Sequence, residues 1–547
     1  MKRYLLVGAA IGLSLAALSC QAPTPPPSES IGADTSVAGP TAPDKVKRGG
    51  ILRGTWSGTL AHLDLHQVGT LGTWNAGNLM YNGLIEWDAF DKTQQRIVPG
   101  LAKSWEASPD GSRFTFRLQD GVKFHDGASL TGDDVVFTLK RIADPPRGTS
   151  SARKDQFQMV DKIESPDPQT VVVTTKFPSA NLVNLLADGW HVIVPKHVVE
   201  RDANALKQGG IGTGPYTFKE LVPNQKFVAA RNPAYFRQGH PYLEGIELYR
   251  FGEETTAIAA LVTNQLDMVN PAGQGISGQG ARDVKARNAA MVVESNPRLA
   301  IDIWRYNVTR PPLDDLRVRQ AMNLAINREE YVKFLQDSEG PVGTVVFPGS
   351  VWDLPKAEQE KLIGYEPNYD QRLQRAKQLL AEAGLAGGFT VTLMATTTNF
   401  EDNAQALEAM LGRINIKIKR DPLQQEEARQ REAESLFDVY AGGYGIATID
   451  PVGVVGDHFV CGSGRNTSKF CDPELDRLYQ EQLKVLDQKE RAKVVHEMIK
   501  RAINGASMNI INWNNEYHAR WPYVRDFVVT PSRYTLASKL EYVWLDK

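Results

Sequence analysis

The sequence predicts a mixed α/β protein on two observations. Alternating apolar and polar residues mark strands in the first half, and apolar residues at helical spacing mark helices in the second. Segments 50–56 and 84–87 are the opening strands. Pro109-Asp110-Gly111 makes a turn, after which Phe114, Phe116 and Leu118 alternate with polar residues as a half-buried strand. His125-Asp126-Gly127 makes a second turn. Thr131 with Asp134 three residues later then starts a helix through Val135 and Leu139, because each side chain satisfies a free backbone N–H of the other. Pro166-Asp167-Pro168 leads into a strand over 170–175.

The later elements are mostly helical. Asp314 and Asp315 favour a helix start through the macrodipole, and Val318, Ala321, Met322 and Ala325 share the face that follows. Leu373, Ala376, Leu380 and Ala383 repeat the pattern, with Gly384 as the expected stop and a strand over 389–393 after it. Asp472-Pro473 opens another helix with proline at its first position. Asp487 with Glu490 caps the last long one, whose apolar face is Val494, Val495, Met498, Ile499 and Ala502. There is no fixed-period repeat, which argues against solenoids and propellers.

At 547 residues and 60.5 kDa the chain has room for three or four domains or large lobes, at about 150 residues each. Lys plus Arg is 62 and Asp plus Glu is 64, for a net charge of −2. Without a basic excess or stripe, nucleic acid is not an expected partner. Mean hydropathy is −0.34, and the one long apolar run stands at the N-terminus, which excludes a polytopic membrane protein.

That run has the layout of a secretory signal over 1–19: Met1-Lys2-Arg3 is the positive start, Tyr4 to Leu18 the apolar core, and Ala17-Leu18-Ser19 precedes Cys20. The Ala-Leu-Ser-Cys stretch resembles the lipobox of bacterial lipoproteins, with Ala17 where Leu is usual and Leu18 where a small residue is usual. Lipidation of Cys20 is the expectation, and ordinary cleavage after Ser19 the alternative. Residues 20–50, rich in Pro, Ser, Gly and Thr, form a flexible tether. The remaining cysteines, Cys461 and Cys471, flank a short polar loop and are most simply a disulfide in an exported protein.

Segment 101–141 resembles the signature region of the family-5 extracytoplasmic solute-binding proteins, the dipeptide, oligopeptide and nickel group of ABC importers. Gly212-Thr213-Gly214-Pro215-Tyr216, Arg231-Asn232-Pro233-Ala234-Tyr235-Phe236, segments 311–329 and 376–389, and the run from Gly442-Gly443-Tyr444 to Asp450-Pro451 are similar to the family in the same order. The resemblance implies a large two-lobed periplasmic-binding-protein fold (type II, cluster C), with mixed sheets, flanking helices and a ligand cleft between the lobes. The first lobe would take 51–300, with an outer subdomain over 97–209, and the second 301–511. The chain would return to the first lobe over 512–547, and hinges would lie at 304–307 and 512–514.

In peptide-binding members an Asp three residues after an aromatic holds the peptide ammonium. Here the aromatic is Tyr444, and an ungapped reading puts Ala447 at the Asp position, with Asp450 as the alternative anchor. A solute anchored through a free ammonium at 447 is therefore not expected. The candidate solute-binding residues are Trp56, Trp190, Trp304, Arg305, Tyr444, Ile446, Ala447, Thr448 and Trp513. Tryptophan stacks on flat or cationic groups and arginine grips carboxylates, against the plainer reading that these side chains fill cores or structural ion pairs. His62-Leu63-Asp64-Leu65-His66 would put two histidines on one face of a strand, but lacks a third metal ligand. No catalytic residue, metal or cofactor is expected. The sequence thus points to a monomeric, lipid-anchored receptor that captures a small solute for an ABC permease. The alternatives are an exported hydrolase or metalloenzyme, and an accessory ligand-sensing receptor with the same fold.

Overall fold

The computed structural model describes residues 46–547 except 57, 59, 61, 69, 92–95, 148, 272–274, 335–339, 397–400, 447 and 532–539. The signal segment, Cys20 and nearly all of the tether lie outside the described residues.

Local signals in the chain become the ends of its elements. Thr131 and Asp134 form a capping box on the helix Gly132–Ala143. Asp315 caps Leu316–Ala325 by accepting from the Arg317 N–H. Asp472 accepts from the Glu474 and Leu475 N–H groups at the start of Pro473–Gln482, and Asp487 accepts from Glu490 N–H at the start of Gln488–Asn504. The helix Tyr369–Glu382 ends before Gly384, whose φ of +78° is the left-handed stop that glycine takes without strain.

Two sheets build the first half. Ile51–Trp56 pairs in parallel with Gly245–Arg250, which continues antiparallel into Lys226–Arg231 and Tyr216–Val222. Its core joins Leu52, Leu79, Phe227 and Leu248 to C-terminal side chains including Val524, Val543 and Leu545. The second sheet is wholly antiparallel, in the order Ala102–Ala107, Arg113–Leu118, Thr170–Thr175, Val160–Asp167. Phe114, Phe116 and Leu118 point from it into a core that also holds Val135, Leu139 and Leu186.

The second half is a five-stranded mixed sheet in the order Ile416–Leu423, Phe389–Thr396, Val439–Gly445, Val292–Tyr306, Met508–Arg520. The first three strands run parallel, joined by helices, and the last two are antiparallel to their neighbours. Its two faces carry separate cores, one around Trp304, Leu393 and Leu407, the other around Ile303, Val495 and Trp513.

The long strands Val292–Tyr306 and Met508–Arg520 pair from Val292↔Arg520 to Arg305↔Met508, with register shifts between Pro297 and Ile301 and between Asp302 and Ile303. At one end Val293, Tyr517 and Ala519 pack with Ile258 and Val284; at the other, Ile301, Ile303 and Ile510 pack with Val455 and Met498. This ribbon therefore crosses between the two bodies. Trp304 and Tyr306, which the sequence places at a hinge, are fully buried in the core of the five-stranded sheet, and the ladder is irregular just upstream of them.

Candidate functional site

Val439–Gly445 leaves its sheet at the segment that the sequence singles out. Tyr444, paired opposite Ile301, turns its hydroxyl to donate to Glu432 Oε1 from the helix Gln425–Ala433. The same oxygen accepts from Arg305 Nη1 at 2.6 Å and from Thr467 Oγ1 at 3.3 Å. Arg305 also donates through Nη2 to His458 Nδ1 at 2.9 Å and lies 5.0 Å from the centre of the Tyr444 ring. Burial and the adjacent Arg305 hold His458 down to about 3, so its imidazole is neutral and able to accept. Arg305 is 1% exposed. Expected as a solute contact, it is placed here in an ion pair with Glu432, the carboxylate that a buried guanidinium needs.

Beside this cluster lies a cavity of about 360 Å³, whose walls include Thr396, Arg429, Glu432, Tyr440, Tyr444 and Arg465. The loop carrying Arg465 and Thr467 is spanned by a disulfide between Cys461 and Cys471.

Asp450 stands at the other end of the segment. Arg491 Nη1 and Nη2 each donate to it at 2.7 Å, forming a bidentate pair in which both side chains are nearly inaccessible. Asn184 Nδ2 donates to the same carboxylate at 2.9 Å from the helix Leu182–Ala187, which belongs to the core of the antiparallel sheet. Two further contacts run alongside. Ala180 N–H donates to the Leu483 carbonyl at 3.1 Å, and a Cβ on Gly111, at φ +66°, would come within 2.7 Å of Leu486 Cδ1. The outer part of the first body thus touches the second next to the 443–451 run.

The remaining sequence candidates scatter. Ile446 is buried, Thr448 Oγ1 accepts from Asp450 N–H at 3.1 Å, and Ala447 lies outside the described residues. Trp56 is buried in the core beneath the first sheet. Trp190 packs 5.1 Å from Trp74 and under the Arg153 guanidinium, 3.8 Å from its ring. Trp304 meets Tyr331 edge-on, and the Trp513 indole N–H donates to the Thr344 carbonyl at 3.1 Å. These four tryptophans are at most 5% exposed. Tyr444 is the aromatic candidate that lines the cavity.

The His62–His66 segment is a bend and turn, so its histidines do not share a strand face. His66 Nδ1 accepts from Arg141 at 2.7 Å and Nε2 meets the Val192 carbonyl at 2.9 Å, which leaves neither nitrogen for a metal. Arg141 is also held by Asp64. Thr396, Arg429, Glu432, Tyr440 and Arg491 were missed. Nothing in their local sequence sets them apart from ordinary strand and helix residues.

Comparison with known proteins agrees with this architecture. Residues 96–466 match the family described as bacterial extracellular solute-binding proteins, family 5 Middle. A probable di/tripeptide-binding protein 5 of Pseudomonas aeruginosa is 27% identical over 463 residues, 79% of this chain and 84% of that protein. The glutathione-binding protein GsiB of Pectobacterium atrosepticum is 26% identical over 453 residues, 79% of this chain and 82% of its own. Among solved structures, the periplasmic binding protein DppA from Helicobacter pylori, in complex with peptide STSA, superposes with a TM-score of 0.73 at 22% identity. That match covers 92% of this chain and 99% of DppA. The chain belongs to the family-5 bacterial extracellular solute-binding proteins and has their two-lobed fold.

Proposed function

We propose that the protein captures a small solute, peptide-like or related, between its lobes and delivers it to an ABC permease, working as a monomer held to the membrane by lipid on Cys20. The lobes would be 51–300 with 512–547, and 301–511. The observation that carries this reading is the hydrogen bond from Asn184 to Asp450. It joins the two lobes beside the segment at which peptide-binding members hold their ligand, as an inter-lobe cleft requires. The named relatives bind different solutes, di- or tripeptides and glutathione, so the ligand is set by this chain's own residues. Asp450 favours recognition without an ammonium anchor, because both of its oxygens already accept from Arg491.

Thermal unfolding of the chain against three solute pools tests the proposal: peptides with free amino termini, the same peptides N-acetylated, and non-peptide solutes. A ligand at a hundredfold over its Kd stabilises by about 2.7 kcal/mol. Acetylated peptides or non-peptide solutes are expected to raise Tm. A rise confined to free-amine peptides would overturn the ligand reading, and no rise in any pool would count against solute capture.

A further inference from the structure

Among the described residues, Asp302 is a buried acid with no base in contact. It is 8% exposed, and its one hydrogen bond comes from the Asn514 Nδ2 amide at 3.4 Å. Its cross-strand partners are Gly443 and Asn512, neither of which carries a charge. Other charged groups on the two long strands are matched: Arg520 with Glu294 at 2.9 Å, His518 beside Glu516 at 3.8 Å, and Arg305 with Glu432 at 2.6 Å. Arg298, on the same strand as Asp302, is the one charged group among the described residues that acts on it, and it does so without contact.

A carboxylate removed from water without a counter-ion is costly, and such a group tends to keep its proton instead. Burial pushes the Asp302 carboxyl up to about 6, and the Asn514 amide and Arg298 offset this only in part. Its place in the fold gives the charge a lever. The ribbon of Val292–Tyr306 and Met508–Arg520 crosses between the two bodies, and its register shifts lie on both sides of this residue, between Pro297 and Ile301 and between Asp302 and Ile303. Ladder irregularities bend a strand, so Asp302 sits on a rung with a joint at either side.

We propose that Asp302 is a proton-sensitive joint between the lobes: with its carboxyl protonated they hold the compact arrangement seen here, and loss of the proton favours a more open one in which water reaches the carboxylate. The inference rests on the lobe division of the proposed function and adds to it that acid favours capture. A hydrated Asp releases its proton at about pH 3.9, so between that value and the buried one the compact form takes up a proton. The ratio of compact to open should fall by up to about tenfold per pH unit across that window, roughly a hundredfold in all.

The test is small-angle scattering and urea unfolding of the solute-free chain and of Asp302→Asn at pH 4.5, 6 and 7.5. Asparagine keeps the size of the side chain and removes the titrating proton. The parent's radius of gyration is expected to rise between pH 4.5 and 7.5, while the variant keeps the parent's pH 4.5 value throughout. The variant's urea midpoint should gain on the parent's as pH rises, because a native carboxyl that holds its proton more tightly than the unfolded one stabilises less once ionised. A midpoint difference that is the same at every pH overturns the proton link. A difference that grows with pH while the parent's radius stays constant overturns control of the lobes, and so does equal expansion of parent and variant. Neither result touches solute capture, whose own failure would show as no rise of Tm in any of the three solute pools.

Discussion

Asn184 and Asp450, 266 positions apart in the chain, share a 2.9 Å hydrogen bond that links the core of the antiparallel sheet to that of the five-stranded sheet. The carboxylate does not depend on Asn184 for its charge balance, which Arg491 provides. Asn184→Ala should therefore cost the fold only about 1.5 kcal/mol, the lower end for one hydrogen bond to a charged group. Its larger effect should be on the balance between open and closed lobes. Small-angle scattering of the solute-free variant should give a larger radius of gyration than the parent, and solute affinity should fall. An unchanged scattering profile would mean that the contact does not hold the lobes together.

Arg491 is the reverse case. It grips Asp450 with two nitrogens and donates through Nε to Gln482 Oε1 at 2.7 Å, with its guanidinium 4.7 Å from the Trp352 ring. Removing it strands a buried carboxylate, and urea unfolding of Arg491→Met should show a loss of about 3–5 kcal/mol. Adding Asp450→Asn should recover part of that loss, because the orphaned charge is gone. A double variant no more stable than Arg491→Met would place the cost in packing against Trp352.

These two residues also mark where sequence reasoning stops. Caps such as Thr131 with Asp134, or Asp487 ahead of Glu490, involve atoms within one helical turn, so their partners are already adjacent in the text. Arg305 finds Glu432 across 127 positions and Arg141 finds Asp64 across 77, and no local pattern names such partners. Alternation in His62-Leu63-Asp64-Leu65-His66 suggested a strand, yet Asp64 Oδ1 accepts from the His66 N–H and binds Arg141, and the segment turns. The tryptophans were recognisable as large anchors, but composition does not say whether a ring faces a core or a cleft.

Buried histidines should make the protein acid-sensitive. His191 packs 5.3 Å from Phe157, and burial, with Arg153 nearby, holds it down to about 3. The folded form stays neutral while the unfolded form takes a proton near pH 6.5. Stability from this group is thus full above 6.5 and falls by up to about 1.4 kcal/mol per pH unit as pH drops toward 3. His191→Phe should flatten the stability profile between pH 6 and 4 relative to the parent, measured by urea unfolding at each pH. A parallel profile in both proteins would mean that His191 is protonated in the native state.

The disulfide ties stability to the candidate site. Cys461 and Cys471 close a loop of ten-residue separation that carries Arg465, paired with Asp457, and Thr467, which accepts from Arg305. Replacing both cysteines with serine should cost about 2–3 kcal/mol, because the unfolded chain regains the freedom of the open loop. The same change should weaken solute binding, since the loop walls the cavity and helps hold Arg305 over Tyr444. Calorimetric titration of the double variant, run well below its Tm, separates the two effects. Lower stability with affinity unchanged would show that the ion pair of Arg305 with Glu432 holds the cavity wall without the covalent tie.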